Sequence, residues 1–340
     1  SKNNIPFVKP ALLAGIGIAI GSFIVLKYTS CGILGLVLVQ GFCQAVYNNW
    51  KWPLVILKEF KLTIFQFVYI GIQETYYKLK TILMRYTAVT QIPSIAIKQG
   101  VVPEGAQITI AIPTYKRAHL LRETLESCLA QQTNCPFAIM VVDNNPEREC
   151  KTEQLLREYK TIPNLSYYKN TENVGMTGNW NKLFELAQTD FVVMLHDDDL
   201  LYDDYVEKVE CILKKYNYDI NALYLPQQMF STKENIPHRK EQEFYSVKLK
   251  LQDLFLGNIC NLVGACFKKE VIIEQDGFDQ NYYPSLDYEM HFRLIQKEKS
   301  FTILGSPLTL YRILENESMK PNTLLNFLFQ DERIIQANNR

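Results

Sequence analysis

Residues 194–201 read MLHDDDLL, three consecutive carboxylates (Asp197, Asp198, Asp199) directly behind the apolar run FVVML. Like charges at this spacing repel, and a buried carboxylate needs an opposite charge or a full set of hydrogen bonds. At the end of a buried strand, the three acids therefore call for a cation. Two other apolar runs also end in polar groups: QITIAIPTY in Pro113-Thr114-Tyr115, and FAIMVVDNN in Asp143-Asn144-Asn145. The acids in HDDDLLYDD also read as a helix N-terminus, where the dipole favours negative charge, but three exceed what capping requires. His196 reads as a strand-end structural residue in preference to a metal ligand.

From Gln107 onward the chain alternates short apolar runs with helical patterns. The helix AHLLRETLESCLAQQ places Leu120, Leu121, Leu125, Cys128 and Leu129 at helical spacing. The buried strand FAIMVVDNN, helix KTEQLLREYK and strand LSYYKN follow, then helix TGNWNKLFELAQ with Thr177 as N-cap. After them come strand DFVVMLHDDD, helix YDDYVEKVECILKKY and strand INALYLP. This alternation predicts an α/β fold with a mostly parallel sheet covered by helices, and ligands bound outside the carboxyl ends of the strands. All three polar clusters fall at such ends. Neither GxGxxG nor GxxxxGK[ST] follows the first strand, which disfavours a dinucleotide-binding or P-loop enzyme. Residues 240–340 read as helical with one strand pair, and LVGACFKKEVIIEQDGFDQ as strand, helix and a turn at Gly277.

The chain has 340 residues, 47% hydrophobic and 21% charged, with zero formal net charge. It is globular by composition, and its balance of charge implies no nucleic-acid partner. The eight cysteines form no CxxC pair and read as reduced thiols. The N-terminal part differs. PALLAGIGIAIGSFIVL and YTSCGILGLVLVQGFCQAVYNNW carry no charge and are separated by Lys27. Each apolar core of about 17 residues spans roughly 25 Å as helix, the short end of a bilayer crossing. Frequent Gly suits closely packed membrane helices. Lysines outside both runs place both ends in the cytoplasm. A buried hairpin of a soluble protein is the alternative. Residues 1–52 are thus expected as a transmembrane hairpin. Residues 53–104 are expected as an aromatic, Lys-rich amphipathic helical region, with QIPSIAIKQGVVPEG as a linker.

The segments ITIAIPTYKRAHLLRETLESCLAQQ, VVDNNP, NVGMTGNWNKLFELAQTDFVVMLHDDD and PSLDYEMHFRL occur in this order. Together they resemble the family 2, GT-A-fold glycosyltransferases of polysaccharide synthesis, over residues 105–320, with a C-terminal helix at 321–340. The resemblance implies that Pro113, Thr114 and Tyr115 line a nucleotide pocket and that Asp143 accepts a hydrogen bond from the base. It places Asn173 and Gly175 beside the nucleotide. Asp197, Asp198 and Asp199 match the DxD-type element that holds Mg²⁺ or Mn²⁺ against the diphosphate, with Asp198 and Asp199 the metal residues and His196 where many members have the first Asp. Asp287 matches the catalytic base, and Arg312 a basic element that contacts the diphosphate. Residues 5–60 weakly resemble the last two helices of polysaccharide flippases, and a start at Ser1 suits a fragment.

Physical chemistry agrees with these roles. Mg²⁺ and Mn²⁺ prefer oxygen ligands, and a divalent ion neutralises charge on a departing diphosphate. An acceptor hydroxyl must lose its proton as it attacks the anomeric carbon, which a carboxylate at Asp287 can accept, with inversion. Asp287 could instead only pair with Arg293, and His291, on the same helical face, could tune it or merely pack. The expectation is an inverting, metal-dependent glycosyltransferase at the cytoplasmic face of a bacterial inner membrane. It would use a nucleotide-diphospho-sugar donor and a saccharide or lipid-linked acceptor. A nucleotidyltransferase and a non-catalytic membrane scaffold are the competing readings.

Overall fold

A computed structural model describes residues 16, 18–24, 27, 39–40, 92–313 and 321–339. The chain divides into two compact units, Ser1–Lys80 and Thr81–Arg340. In the first, the described residues are helical, and Ile16, Ile20, Phe23 and Ile24 are exposed. A Cβ on Gly21 would lie 2.6 Å from Val39 Cγ1, so Val39 packs close where Gly21 has no side chain. Among the described residues, no helix is long and apolar enough to cross a membrane. Most of the expected hairpin, and the amphipathic stretch from Trp52 to Tyr86, lie outside the described residues.

The second unit is built on a nine-stranded sheet. Its strands in chain order are β1 (Ser94–Lys98), β2 (Ile108–Thr114), β3 (Phe137–Asp143), β4 (Leu165–Asn170), β5 (Phe191–Met194), β7 (Ala222–Tyr224), β9 (Tyr245–Lys248), β10 (Ala265–Lys268) and β11 (Ser300–Leu304). They lie side by side as β1-β4-β3-β2-β5-β10-β7-β11-β9. A three-stranded sheet, β6 (Leu200–Leu201), β12 (Thr309–Arg312) and β8 (Gln227–Phe230), stands beside it. Helices α1 (Ala118–Leu129), α2 (Lys151–Glu158) and α3 (Gly175–Leu186) connect β2 through β5. The helices α4 (Tyr205–Lys215), α5 (Leu251–Leu254), α6 (Lys269–Glu274), α7 (Leu286–Gln296) and α8 (Pro321–Asn338) complete it.

The continuous apolar runs are strands buried on both faces. Ile139 and Val141 of β3 enter one core with Leu121, Leu125 and Leu156, whereas Met140 and Val142 enter the other with Leu183 and Phe184. Alternate side chains of a strand point to opposite faces, so both sides need helices. Burying one such Val, Leu or Ile contributes roughly 1.5–3 kcal/mol.

The sheet is less parallel than the alternation predicts. β4, β3, β2 and β5 run parallel, but β10 is antiparallel to both β5 and β7. Residues 240–340 supply β9 to β12 and not a single strand pair. Within the expected linker, Ser94–Lys98 pairs antiparallel with β4, Ser94 opposite Asn170, and covers its edge. Thr177 is not an N-cap, because α3 starts two residues earlier. Asn173 Oδ1 accepts from Gly175 N at 2.9 Å and Asn144 Oδ1 from Val174 N at 2.9 Å, which satisfies the leading N–H groups from outside the helix.

Candidate active site

The β2–α1 turn and the end of β5 meet at the acidic cluster. β5 stops at Met194, and the chain then turns through 195–199, where Asp199 N bonds His196 O. All three aspartates are buried. Thr114 Oγ1 donates to Asp197 Oδ2 at 2.7 Å. Lys116 turns the chain with φ 58°, which brings Arg117 back over the acids. Arg117 donates to Asp197 Oδ1 at 3.0 Å and to Asp198 Oδ2 at 2.5 Å. Asp199 Oδ1 accepts from Arg312 N at 2.8 Å.

The charges do not balance. Among the described residues, Arg117 is the guanidinium paired with these acids, since that of Arg312 bonds Glu123 Oε2 (2.5 Å) and Asp198 O (2.7 Å) and lies over Phe230. One positive charge faces three carboxylates. Burial pushes Asp197 up to about 6 against the pull of Arg117 and Thr114, and burial also raises Asp199 despite His196. Burial alone would lower His196, but its acidic neighbours, Asp199 foremost, raise it. His196 Nδ1 is 3.3 Å from Asp199 Oδ2 as an ion pair, yet among the described residues the buried atoms Asp199 Oδ2 and His196 Nε2 have no hydrogen-bond partner. Orphaned donor atoms in an acidic, buried site are what a divalent cation would satisfy.

Ligand atoms of His196, Asp198 and Asp199 lie within 4.8 Å of one another, so these three residues fit a metal ion. The histidine read as structural thus joins the candidate ligands, while Asp197 is spent on Thr114 and Arg117. Trp180 of α3 stacks on the His196 ring at 5.5 Å and 21°, and Phe278 meets Trp180 edge-on at 5.3 Å. That stack ties the acidic cluster to the segment leading into α7.

The neighbouring strand end is closed differently. Asp143 is 0% exposed. Its Oδ2 accepts from Lys169 Nζ at 2.8 Å and Tyr167 Oη at 2.9 Å, and its Oδ1 from Asn145 N at 2.9 Å. Burial, then the Asp143 charge, pushes the Tyr167 hydroxyl well above its usual range. The expected base-binding carboxylate is therefore enclosed by protein partners. Asn144 carries the connection onward, its Nδ2 bonding Asn173 Oδ1 (2.8 Å) and Gly175 O (3.1 Å). Gly175 has φ +74°, and among the described residues no heavy atom lies within 4 Å of a would-be Cβ, so the loop is open to them there. Tyr115 is exposed, with Lys116 over its ring, whereas Pro113 is buried within β2 opposite Val142.

Asp287 occupies the first turn of α7, half-buried. Its Oδ2 accepts from Asn258 Nδ2 at 2.9 Å. Burial raises its pKa, and N–H groups of its own helix turn, with Asn258, oppose that. It does not pair with Arg293, whose guanidinium takes Glu289 (2.8 and 2.6 Å), Gly277 O (2.8 Å) and Gln275 O. His291 reaches Asp287 only through Asn258. Arg117, Trp180, Glu123 and Asn258 were not singled out in the sequence. Arg117 carried a signal, a cation three residues after the strand-end Thr114, whereas nothing local marks Asn258.

The family model Glycosyl transferase family 2 matches residues 109–275. An uncharacterized glycosyltransferase of Methanocaldococcus jannaschii is 25% identical over 208 residues, 61% of this chain and 70% of its own. The minor teichoic acid biosynthesis protein GgaB of Bacillus subtilis is 22% identical over 218 residues, and the match spans only 24% of its length. A glucosyl-dolichyl phosphate glucuronosyltransferase of Haloferax volcanii is 24% identical over 189 residues, 52% of this chain and 56% of its own. Among solved structures, S. aureus TarS 1–349 in complex with UDP-GlcNAc superposes with TM-score 0.54 at 16% identity, covering 68% of this chain and 66% of that one. That likeness concerns the fold alone.

Proposed function

The chain is a family 2 glycosyltransferase through its domain at 109–275, and from that premise we propose that it transfers a sugar from a nucleotide-diphospho-sugar, with inversion and with Mg²⁺ or Mn²⁺ bound at His196, Asp198 and Asp199. The observation that carries the reading is the under-neutralised acidic cluster with two orphaned buried atoms. A divalent ion held there would neutralise the charge growing on the departing diphosphate. Thr114 and Arg117 fix Asp197 and Asp198 so that their carboxylates stay aligned. The open loop at Asn173–Gly175 and the exposed Tyr115 leave room for the nucleoside. Asp287, a half-buried carboxylate with Oδ2 held by Asn258, takes the acceptor hydroxyl proton.

For the acceptor we propose a saccharide carried on a lipid or a cell-surface polymer, at a membrane reached through the two N-terminal apolar runs. The names of the Bacillus and Haloferax relatives support it. A thermal-shift screen of nucleotides and nucleotide sugars with and without Mn²⁺ tests the donor site. Stabilisation by one nucleotide sugar, only with Mn²⁺, is expected, and Asp198→Asn should abolish the metal-dependent part and any transfer while the protein stays folded. Near-normal turnover of Asp198→Asn with Mn²⁺ would remove Asp198 from the metal site.

A further inference from the structure

Three polar side chains run from the loop after α5 into the core beneath α7. Asn258 is exposed, Asp287 half-buried and His291 fully buried. Asn258 Nδ2 donates to Asp287 Oδ2 at 2.9 Å, and Asn258 Oδ1 lies 3.1 Å from His291 Nδ1. A carboxylate only accepts, so the amide must offer its NH₂ to Asp287 and its oxygen to His291. An amide oxygen also only accepts, so His291 must carry its hydrogen on Nδ1. Burial lowers His291 to about 3, which keeps the ring neutral. Its other nitrogen, Nε2, is buried without a partner among the described residues, and the ring stands edge-on to Tyr224 at 4.8 Å and 81°. A neutral, tightly packed imidazole with one N–H thus uses it to hold the Asn258 amide.

We propose that Asn258, held by His291, is a positioning residue for Asp287: it fixes Oδ2 and keeps the carboxylate ionised, leaving Oδ1 to take the acceptor proton. This rests on the reading of Asp287 as the acceptor-side base. In that step the hydroxyl O–H bond breaks toward Asp287, the oxygen bonds the anomeric carbon, and the carbon–oxygen bond to the diphosphate breaks with its electron pair leaving on the diphosphate. Ionisation needs support here. Burial raises the Asp287 pKa, and Asp331 on α8 pushes the same way. Tyr224 of β7 and Cys260 of the loop, both raised first of all by burial, also feel the Asp287 charge. The groups that oppose these effects are its helix N–H groups and the Asn258 amide. Gly257, at φ +124°, lets the loop turn so that Asn258 arrives over the first turn of α7.

The test uses the full chain, with the Asp287 carboxyl followed by ¹³C NMR and assigned through Asp287→Asn. Asn258→Leu should raise the Asp287 pKa, and Asn258→Asp, nearly isosteric, should raise it further by like charge. ¹⁵N spectra should show His291 as the Nδ1–H tautomer in the wild type. Mn²⁺-dependent hydrolysis of UDP-GlcNAc should fall about 10- to 100-fold in Asn258→Leu, its acid limb moving to higher pH, with the UDP-GlcNAc dissociation constant unchanged. A purely structural clamp would lower the melting temperature and leave the pKa and the pH profile where they were. An unshifted Asp287 titration in both Asn258 variants, or an Nε2–H tautomer at His291, overturns the proposal. If Asp287→Asn abolishes hydrolysis while both Asn258 variants hydrolyse at the wild-type rate, only the positioning role fails. If Asp287→Asn hydrolyses normally, the base assignment fails and takes this inference with it.

Discussion

Single residues divide here into those that hold the frame and those left with unmet bonding capacity. Glu153 belongs to the first group. Arg148 binds its carboxylate through two bonds, 3.0 and 2.9 Å, and Glu149 N donates at 3.0 Å. The Arg148 hydrogen bonds, opposed by burial, hold Glu153 down at about 2. A carboxyl with a depressed folded pKa adds stability above its free value near 4.5 and loses it as pH falls through about 2. Glu153→Gln should therefore flatten the acid-unfolding profile between those two values, read by circular dichroism across pH. Equal slopes in variant and wild type would show that the pair contributes nothing. His196 and Asp199 belong to the second group, and their unpartnered atoms mark the site more sharply than the count of acids does.

At the scale of elements, the entry to α3 shows how loops are fastened from a distance. Asn144, at the end of β3, accepts from Val174 N and Asn170 Nδ2 (2.9 and 3.0 Å) and donates to Asn173 and Gly175. Asn144→Ala leaves two buried donors, Val174 N and one N–H of Asn170 Nδ2, without their partner, at roughly 1–3 kcal/mol for each such group. Asn173→Ala removes one local cap, about 1 kcal/mol. Urea unfolding should thus rank Asn144→Ala as clearly the more damaging, and the reverse order would deny that the strand end organises the helix start. The sequence announced β2 to β5 and their helices because strands buried on both faces are unbroken apolar runs. It hid β1, β9 and β12. Ser94–Lys98 lies between Pro93 and Gly100 and looks like punctuation, and its partner β4 is 76 residues away at the Ser94–Asn170 bond. The acidic cluster was legible because its charges are consecutive. The Asp143 ion pair was not, since Lys169 sits on another strand, and no local pattern reveals which carboxylate a distant lysine will close.

For the whole molecule, the boundary between the two compact units falls at Lys80–Thr81. A chain comprising 81–340 should fold and keep Mn²⁺-dependent nucleotide-sugar binding, judged by melting temperature and calorimetry. Cutting at residue 105 instead strips β1 from the edge of β4 and should lower the melting temperature measurably. Equal melting points for the two cuts would mean that β1 adds nothing. Such a shortened domain has a further property. Of the three tryptophans, at 50, 52 and 180, only Trp180 remains in it, and that indole lies stacked on the His196 ring. The domain therefore carries its own fluorophore against its candidate cation ligand. Its emission should change when His196 is metallated or protonated, so occupancy could be followed optically, with no label, no acceptor and no turnover.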